Sequence, residues 1–115
     1  MSEIRVIREG ERAWEPLVDP PGEIPSGGDE VEAFASRDGR FTTGFWRREP
    51  DTWSFQRTYD EVALILAGRA DIETSTGDVL SIGAGDVLIT PKGSSGTWRI
   101  TETIVKFYAI SSEPE

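Results

Sequence analysis

The chain contains no histidine and no cysteine. Imidazole is the commonest protein ligand for zinc, copper and iron, and the usual acid–base group near neutral pH. Without it, any metal must rest on oxygen ligands, and any proton transfer must run through Asp, Glu, Tyr, Lys, Arg or Ser. The lack of thiols excludes disulfides, thiolate nucleophiles and thiolate metal sites, and it suits a cytoplasmic location. Basic residues are scarce as well: 12 Lys and Arg face 21 Asp and Glu, a net charge of −9. A chain this acidic repels phosphate backbones, and its basic groups do not cluster beyond Arg47-Arg48, so nucleic acid is not an expected partner. No apolar run approaches the roughly 20 residues that span a bilayer. The opening Met-Ser-Glu-Ile-Arg also lacks an apolar signal-peptide core. No membrane partner is expected, and the chain reads as cytoplasmic.

What is present is a single domain's worth of short strands. At 115 residues the chain is long enough for one real core and too short for two. Ile4 to Ile7 alternates and suits an edge strand. Pro16, Pro20, Pro21 and Pro25 with Gly22, Gly27 and Gly28 then forbid regular structure. Residues 1–30 are therefore expected to form an irregular arm over the domain, anchored by Trp14 and Leu17, with a β-barrel over residues 31–115. Strands are expected at Val31–Ser36, at Phe41–Glu49 with Gly44 as a bulge, and over the alternating Trp53–Glu61. More follow at Val62–Ala67, Arg69–Thr74, Asp78–Ile82, Val87–Thr90, Thr97–Thr101 and Ile104–Ile110. Asp38-Gly39, Thr76-Gly77 and Gly83-Ala84-Gly85-Asp86 are the turns between them. No long helix emerges. The fold class is all-β, a sandwich or barrel.

The most apolar stretch, Val62 to Ala67, is bounded by Asp60-Glu61 and Gly68 and reads as a strand buried on both faces. A carboxylate pair at the mouth of a buried strand costs desolvation energy unless something pairs with it. In a regular strand Glu61 shares its face with Arg57 and Tyr59, and Asp60 points away as a turn or strand-start residue.

From Gly44 onward the pattern resembles the cupin superfamily, a jelly roll or double-stranded β-helix. Glu61 and Gly68 stand at the spacing that closes the first cupin motif, and Gly85, Pro91 and Gly93 match the opening of the second. Gly44-Phe45-Trp46, Tyr59-Asp60-Glu61-Val62, Leu66-Ala67-Gly68-Arg69 and Pro91-Lys92-Gly93 sharpen the likeness. They make it similar to the small single-domain cupins grouped with ethanolamine-utilisation proteins of the Q type and with ureidoglycine aminohydrolase. The resemblance implies an all-β cupin jelly-roll barrel, here with the irregular N-terminal arm, and a subunit that dimerises through its sheets. It also implies a metal held by three histidines and a glutamate. Only Glu61 of that set is present; the other positions fall on Phe55 and Arg57, or Ser54 and Gln56, and on Gly96.

These residues frame the functional expectations. Glu61 is a candidate ligand anchor or general base inside the barrel, or else a carboxylate held by Arg57 or Tyr59. Arg57 either binds a ligand carboxylate or neutralises Glu61. Tyr59 is the second candidate catalytic group. Tyr108, Trp46 and Trp98 are candidate pocket walls, with Trp53 beside them, and large aromatics filling a small barrel is the competing reading. Lys106, amid apolar strand neighbours, is expected on an outer face. The Lys92–Gly96 loop has glycines and a lysine but lacks phosphate-loop spacing. The expected function is a cupin, with no metal or other cofactor, that binds a small polar metabolite and forms a homodimer. The alternatives are a metal-dependent enzyme of the ureidoglycine aminohydrolase type and a non-catalytic dimeric interaction module.

Overall fold

The computed structural model describes residues 3–18 and 27–112. Pro20, Pro21, Gly22 and Pro25 of the expected arm, and the last three residues, lie outside them. The strands are β1 (Glu15–Pro16), β2 (Asp29–Ala35), β3 (Phe41–Arg48), β4 (Thr52–Gln56), β5 (Asp60–Thr74), β6 (Val79–Gly83), β7 (Val87–Thr90) and β8 (Ser95–Ser111). Among the described residues the only helical element is a 3-10 turn at Glu9–Glu11, and no helix is long and apolar enough to cross a membrane.

Two long antiparallel strands carry the architecture. β5 and β8 run side by side from Asp60↔Ser111 to Thr74↔Gly96. On the outer side of β8, β4 pairs with its first part and β3 with its last. On the outer side of β5, β7 pairs with its first part and β6 with its last. The result is two four-stranded halves, β3–β8–β5–β7 and β4–β8–β5–β6, that share the same two central strands. They join where the β5–β8 register slips between Ile65 and Ala70. Gly68 sits in that slip at φ 91°, and a Cβ there would collide with the Thr103 carbonyl, so only glycine lets the two strands approach and bend. β2 and β1 extend the first half.

Both halves feed one core. Trp46 and Ile65 come from the first half, Phe55, Ile72, Ile82, Trp98 and Ile100 from the second, and all belong to one buried cluster. A folded-over sheet of this kind is the jelly-roll arrangement, and its hydrogen bonding stays open rather than closing into a continuous barrel.

Several expectations change. Thr97–Thr101 and Ile104–Ile110 are parts of the single strand β8. Ile4–Ile7 is not a strand. Gly44 is not bulged; the irregularity lies opposite it in β2, between Glu32 and Phe34. Gly44 serves instead as a clearance, because a Cβ there would strike the Val31 carbonyl and stand 2.6 Å from the Tyr108 hydroxyl. The Trp53–Glu61 run is interrupted at residues 57–59, where Arg57 exchanges backbone hydrogen bonds with Gly93 and Ser94.

The strand that was expected to be buried on both faces is buried on one. Glu61, Ala63 and Ile65 point inward, whereas Val62 is 47% exposed and Leu64 40%. Across the outer face Val62 pairs with Ile89, Leu64 with Val87 and with Phe107, and Phe107 with Phe45. The N-terminal segment reaches the Phe45 end of this apolar surface, where the Arg12 guanidinium lies 4.3 Å above the Phe45 ring. At the β5–β7 end Val62, Leu64, Val87 and Ile89 are exposed.

Candidate functional site

Inward-facing residues of both halves converge on one cavity of about 260 Å³. β5 supplies Glu61, and β8 supplies Trp98, Lys106 and Tyr108. β3 contributes Trp46, and Arg57 and Tyr59 come from the segment between β4 and β5. Thus all six residues singled out as site candidates border the same space, although Arg57 and Tyr59 reach it from a turn rather than from the strand face of Glu61.

The cavity is organised around a buried ion pair. Glu61 is 4% exposed and Lys106 5%, and Lys106 Nζ donates to Glu61 Oε2 at 2.5 Å. Arg57 Nη2 stands 3.7 Å from the same oxygen, and Arg57 Nε donates to Thr90 Oγ1 at 3.0 Å. Burial alone would push the Glu61 carboxyl up. The charges of Lys106 and Arg57, with the hydrogen bond from Lys106, outweigh that effect and hold it below its usual range. Burial pushes the Lys106 ammonium down. Glu61 pulls it back up, but Arg57 adds to the fall, and the net shift is downward.

Aromatic rings complete the surroundings of the ammonium. Lys106 Nζ lies 4.8 Å from the centre of Trp46 and 5.5 Å from that of Trp98, within cation–π range. Trp98 stacks on Trp53 at 5.7 Å with the planes 6° apart, and Trp46 meets Trp98 edge-on at 5.9 Å. The indole of Trp46 is pinned by a 2.8 Å hydrogen bond to the Gly27 carbonyl. The tryptophans are both core and cavity wall, so the two readings of them coexist. On the β2 side Tyr108 and Glu30 border the space. Burial and the nearby carboxylates of Glu30, Glu32 and Glu61 push the Tyr108 phenol up to about 12, so it is a neutral hydrogen-bonding group at ordinary pH.

Lys106 is the residue that sequence reasoning placed wrongly. Both parities of Ile104–Ile110 are largely apolar, so alternation gave no choice of face. The signal that points to it is Glu61 itself: a buried carboxylate needs a cation. The outer-face expectation is corrected by its burial beside Ile104 and Trp46. Asp60 stays at the start of β5, where its Oδ1 accepts the Lys92 amide at 2.8 Å.

The metal implied by the cupin resemblance does not suit this donor set. The groups around the Glu61 carboxylate are an ammonium and a guanidinium, which repel a divalent ion, and Lys106 already engages one of its oxygens. Among the described residues no group of three or more His, Cys, Asp or Glu is arranged to hold a metal ion.

Comparison with known proteins agrees with the fold. The chain superposes on the EutQ protein of Clostridium difficile with a TM-score of 0.66 and 21% identity, over 94% of this chain and 81% of that one. A Thermotoga maritima protein described as a predicted oxalate decarboxylase gives a TM-score of 0.71 at 17% identity, over 95% and 100%. A DUF861 family protein of Thermotoga maritima is 28% identical over 56% of this chain and 73% of its own, with a TM-score of 0.54. No curated protein matches. The EutQ-like cupin domain matches residues 35–108, which hold the cavity-lining strands β3 and β5 and most of β8, and the chain belongs to that family of cupins.

Proposed function

We propose that this cupin binds a compact polar metabolite bearing an anionic group in the cavity beside Glu61, and does so without a metal. One observation carries the reading. The deep end of the cavity holds two buried cations, Arg57 and Lys106, against one buried carboxylate. A desolvated excess of positive charge attracts an anion strongly, and the guanidinium fork suits a carboxylate. A free cationic ligand is disfavoured because Lys106 already takes the cation position beside the Trp46 and Trp98 rings. At about 260 Å³ the cavity lies just under the usual range of about 300–1,000 Å³ for small-molecule pockets, so the ligand has few heavy atoms. Tyr108 and Tyr59 offer phenols to its polar edge. A cytoplasmic setting, where such metabolites are abundant, fits this reading.

The test is thermal denaturation with small carboxylates at millimolar concentration, each beside its amide and the amine of matching shape. A ligand present at 100 times its Kd adds about 2.7 kcal/mol to the stability of the native state. A melting-temperature rise with carboxylates that the amides do not give supports the proposal. A rise confined to amines or amides, or none with any compound, overturns it.

A second reading rests on a different surface. We propose that the β5–β7 outer face, with Val62, Leu64, Val87 and Ile89 all exposed, is where two copies of the chain pair. Contiguous apolar surface of this kind marks association sites in folded proteins. Val62→Glu is expected to convert a dimer to a monomer in light scattering, with the fold retained. A wild-type chain that runs as a monomer refutes it.

A further inference from the structure

We infer that Lys106 is a nucleophile that forms a reversible imine with a small 2-oxo acid held in the cavity, with Glu61 as the group that moves the protons. This deepens the proposal of an anionic ligand and rests on it. Four features of the geometry point the same way. Lys106 lines the cavity and is 5% exposed, so a bound carbonyl meets it away from bulk water. Glu61 Oε2 is 2.5 Å from Nζ, within reach for direct proton exchange. Arg57, 3.7 Å from the same Glu61 oxygen, supplies a second cation for the ligand's carboxylate. Lys106 is buried beside Trp46 and Trp98, and loss of hydration favours the neutral, nucleophilic amine. Burial and Arg57 both act in that direction on Lys106.

The steps balance without an added oxidant or reductant. The Lys106 ammonium passes a proton to Glu61, and the nitrogen lone pair attacks the carbonyl carbon as the C–O π pair moves to oxygen. A proton then moves from nitrogen to that oxygen, giving the carbinolamine. Glu61 returns its proton to the hydroxyl, water leaves, and the nitrogen lone pair forms the C=N bond. The net change is ammonium plus ketone to iminium plus water, and Glu61 ends as it began, a carboxylate beside a cation. The charge pattern that stabilises the resting pair therefore also stabilises the product.

The chain is unusually simple to test because it has only two lysines, Lys92 and Lys106. Lys92 is exposed and serves as the internal control. The protein is incubated with pyruvate or glyoxylate and sodium borohydride, and the reduced adduct is located by mass spectrometry of peptides. Confinement of a reactant beside a nucleophile raises its effective concentration by orders of magnitude, so Lys106 should carry about tenfold more adduct than Lys92, or greater. Lactate, which has the carboxylate but no carbonyl, should give none and should compete. Glu61→Gln should slow the labelling of Lys106 and leave that of Lys92 unchanged. Equal labelling of the two lysines, or labelling of Lys92 alone, overturns the inference even where the 2-oxo acid raises the melting temperature. That result would leave the binding proposal standing. Neither a thermal shift nor an adduct removes both.

Discussion

Glu61→Gln isolates the ion pair on which the site depends. The change keeps the shape of the side chain, so it opens no cavity. It removes the charge that lies 2.5 Å from Lys106 and 3.7 Å from Arg57. Breaking a buried pair by removing one partner costs about 3–5 kcal/mol, because the remaining charge is left uncompensated. Here the cost should fall at the low end, about 3 kcal/mol near neutral pH, because Lys106 can shed its proton. That escape also sets the pH dependence. Lys106 is held below its unfolded value of 10.5, so between the depressed value and 10.5 the native state binds fewer protons than the unfolded chain, and acidification through that window destabilises it. Glu61 limits this loss in the wild type. Without Glu61 the lysine falls further, and each added unit costs about 1.4 kcal/mol. The deficit of the variant should therefore shrink as pH rises toward 10.5. It should shrink on the acid side too. Glu61 is held below 4.5, so its contribution is complete above that pH and fades as pH falls through the depressed value. Urea unfolding followed by tryptophan fluorescence across pH is the assay. With m near 1–3 kcal/mol per molar, a loss of about 3 kcal/mol moves the midpoint by about 1–3 M. A variant as stable as the wild type at neutral pH, or a deficit that does not vary with pH, refutes the reasoning.

Gly44→Ala places a methyl against the Val31 carbonyl and the Tyr108 hydroxyl. It should cost about 1–3 kcal/mol in thermal unfolding, whereas Gly10→Ala, with open space around it, should be neutral. Tyr108, with its phenol at about 12, supports the fold fully below 10.0 and loses that support as pH rises between the two values. An ultraviolet titration should show one phenol ionising near the upper value, and Tyr108→Phe should abolish that phase. Trp98, 1% exposed and in contact with two other indoles, should cost about 3–5 kcal/mol when truncated to Ala. The same variant should flatten the near-ultraviolet circular dichroism of the tryptophan cluster.

The sequence was most readable where glycine and alternation act locally. The turns at Asp38-Gly39, Thr76-Gly77 and Gly83–Asp86, and the strands Phe41–Arg48 and Val87–Thr90, follow from neighbours in the chain. The inward direction of Glu61 was legible from its place in the cupin motif rather than from alternation. What was not legible depends on distant partners. Ile104–Ile110 is apolar on both parities, so only its pairing with β3 and β5 sends Lys106 inward. Val62 and Leu64 look as buried as Ala63 and Ile65, since an apolar side chain does not state whether a neighbour covers it. The interruption at residues 57–59 was hidden for the same reason. Arg57 and Tyr59 keep the alternation in sequence, while backbone bonds from Arg57 to Gly93 and Ser94 take the segment out of the ladder.

The last strand, β8, is the hydrogen-bonding partner of β3, β4 and β5. While a ribosome is still making the chain, these three have no β8 to bind, and the tryptophan cluster lacks Trp98. Native assembly must therefore await synthesis of β8, through closures of long sequence separation that make such topologies slow to form. A truncation that removes only β8 does not trim this protein; it leaves nascent edges open to one another and to other chains.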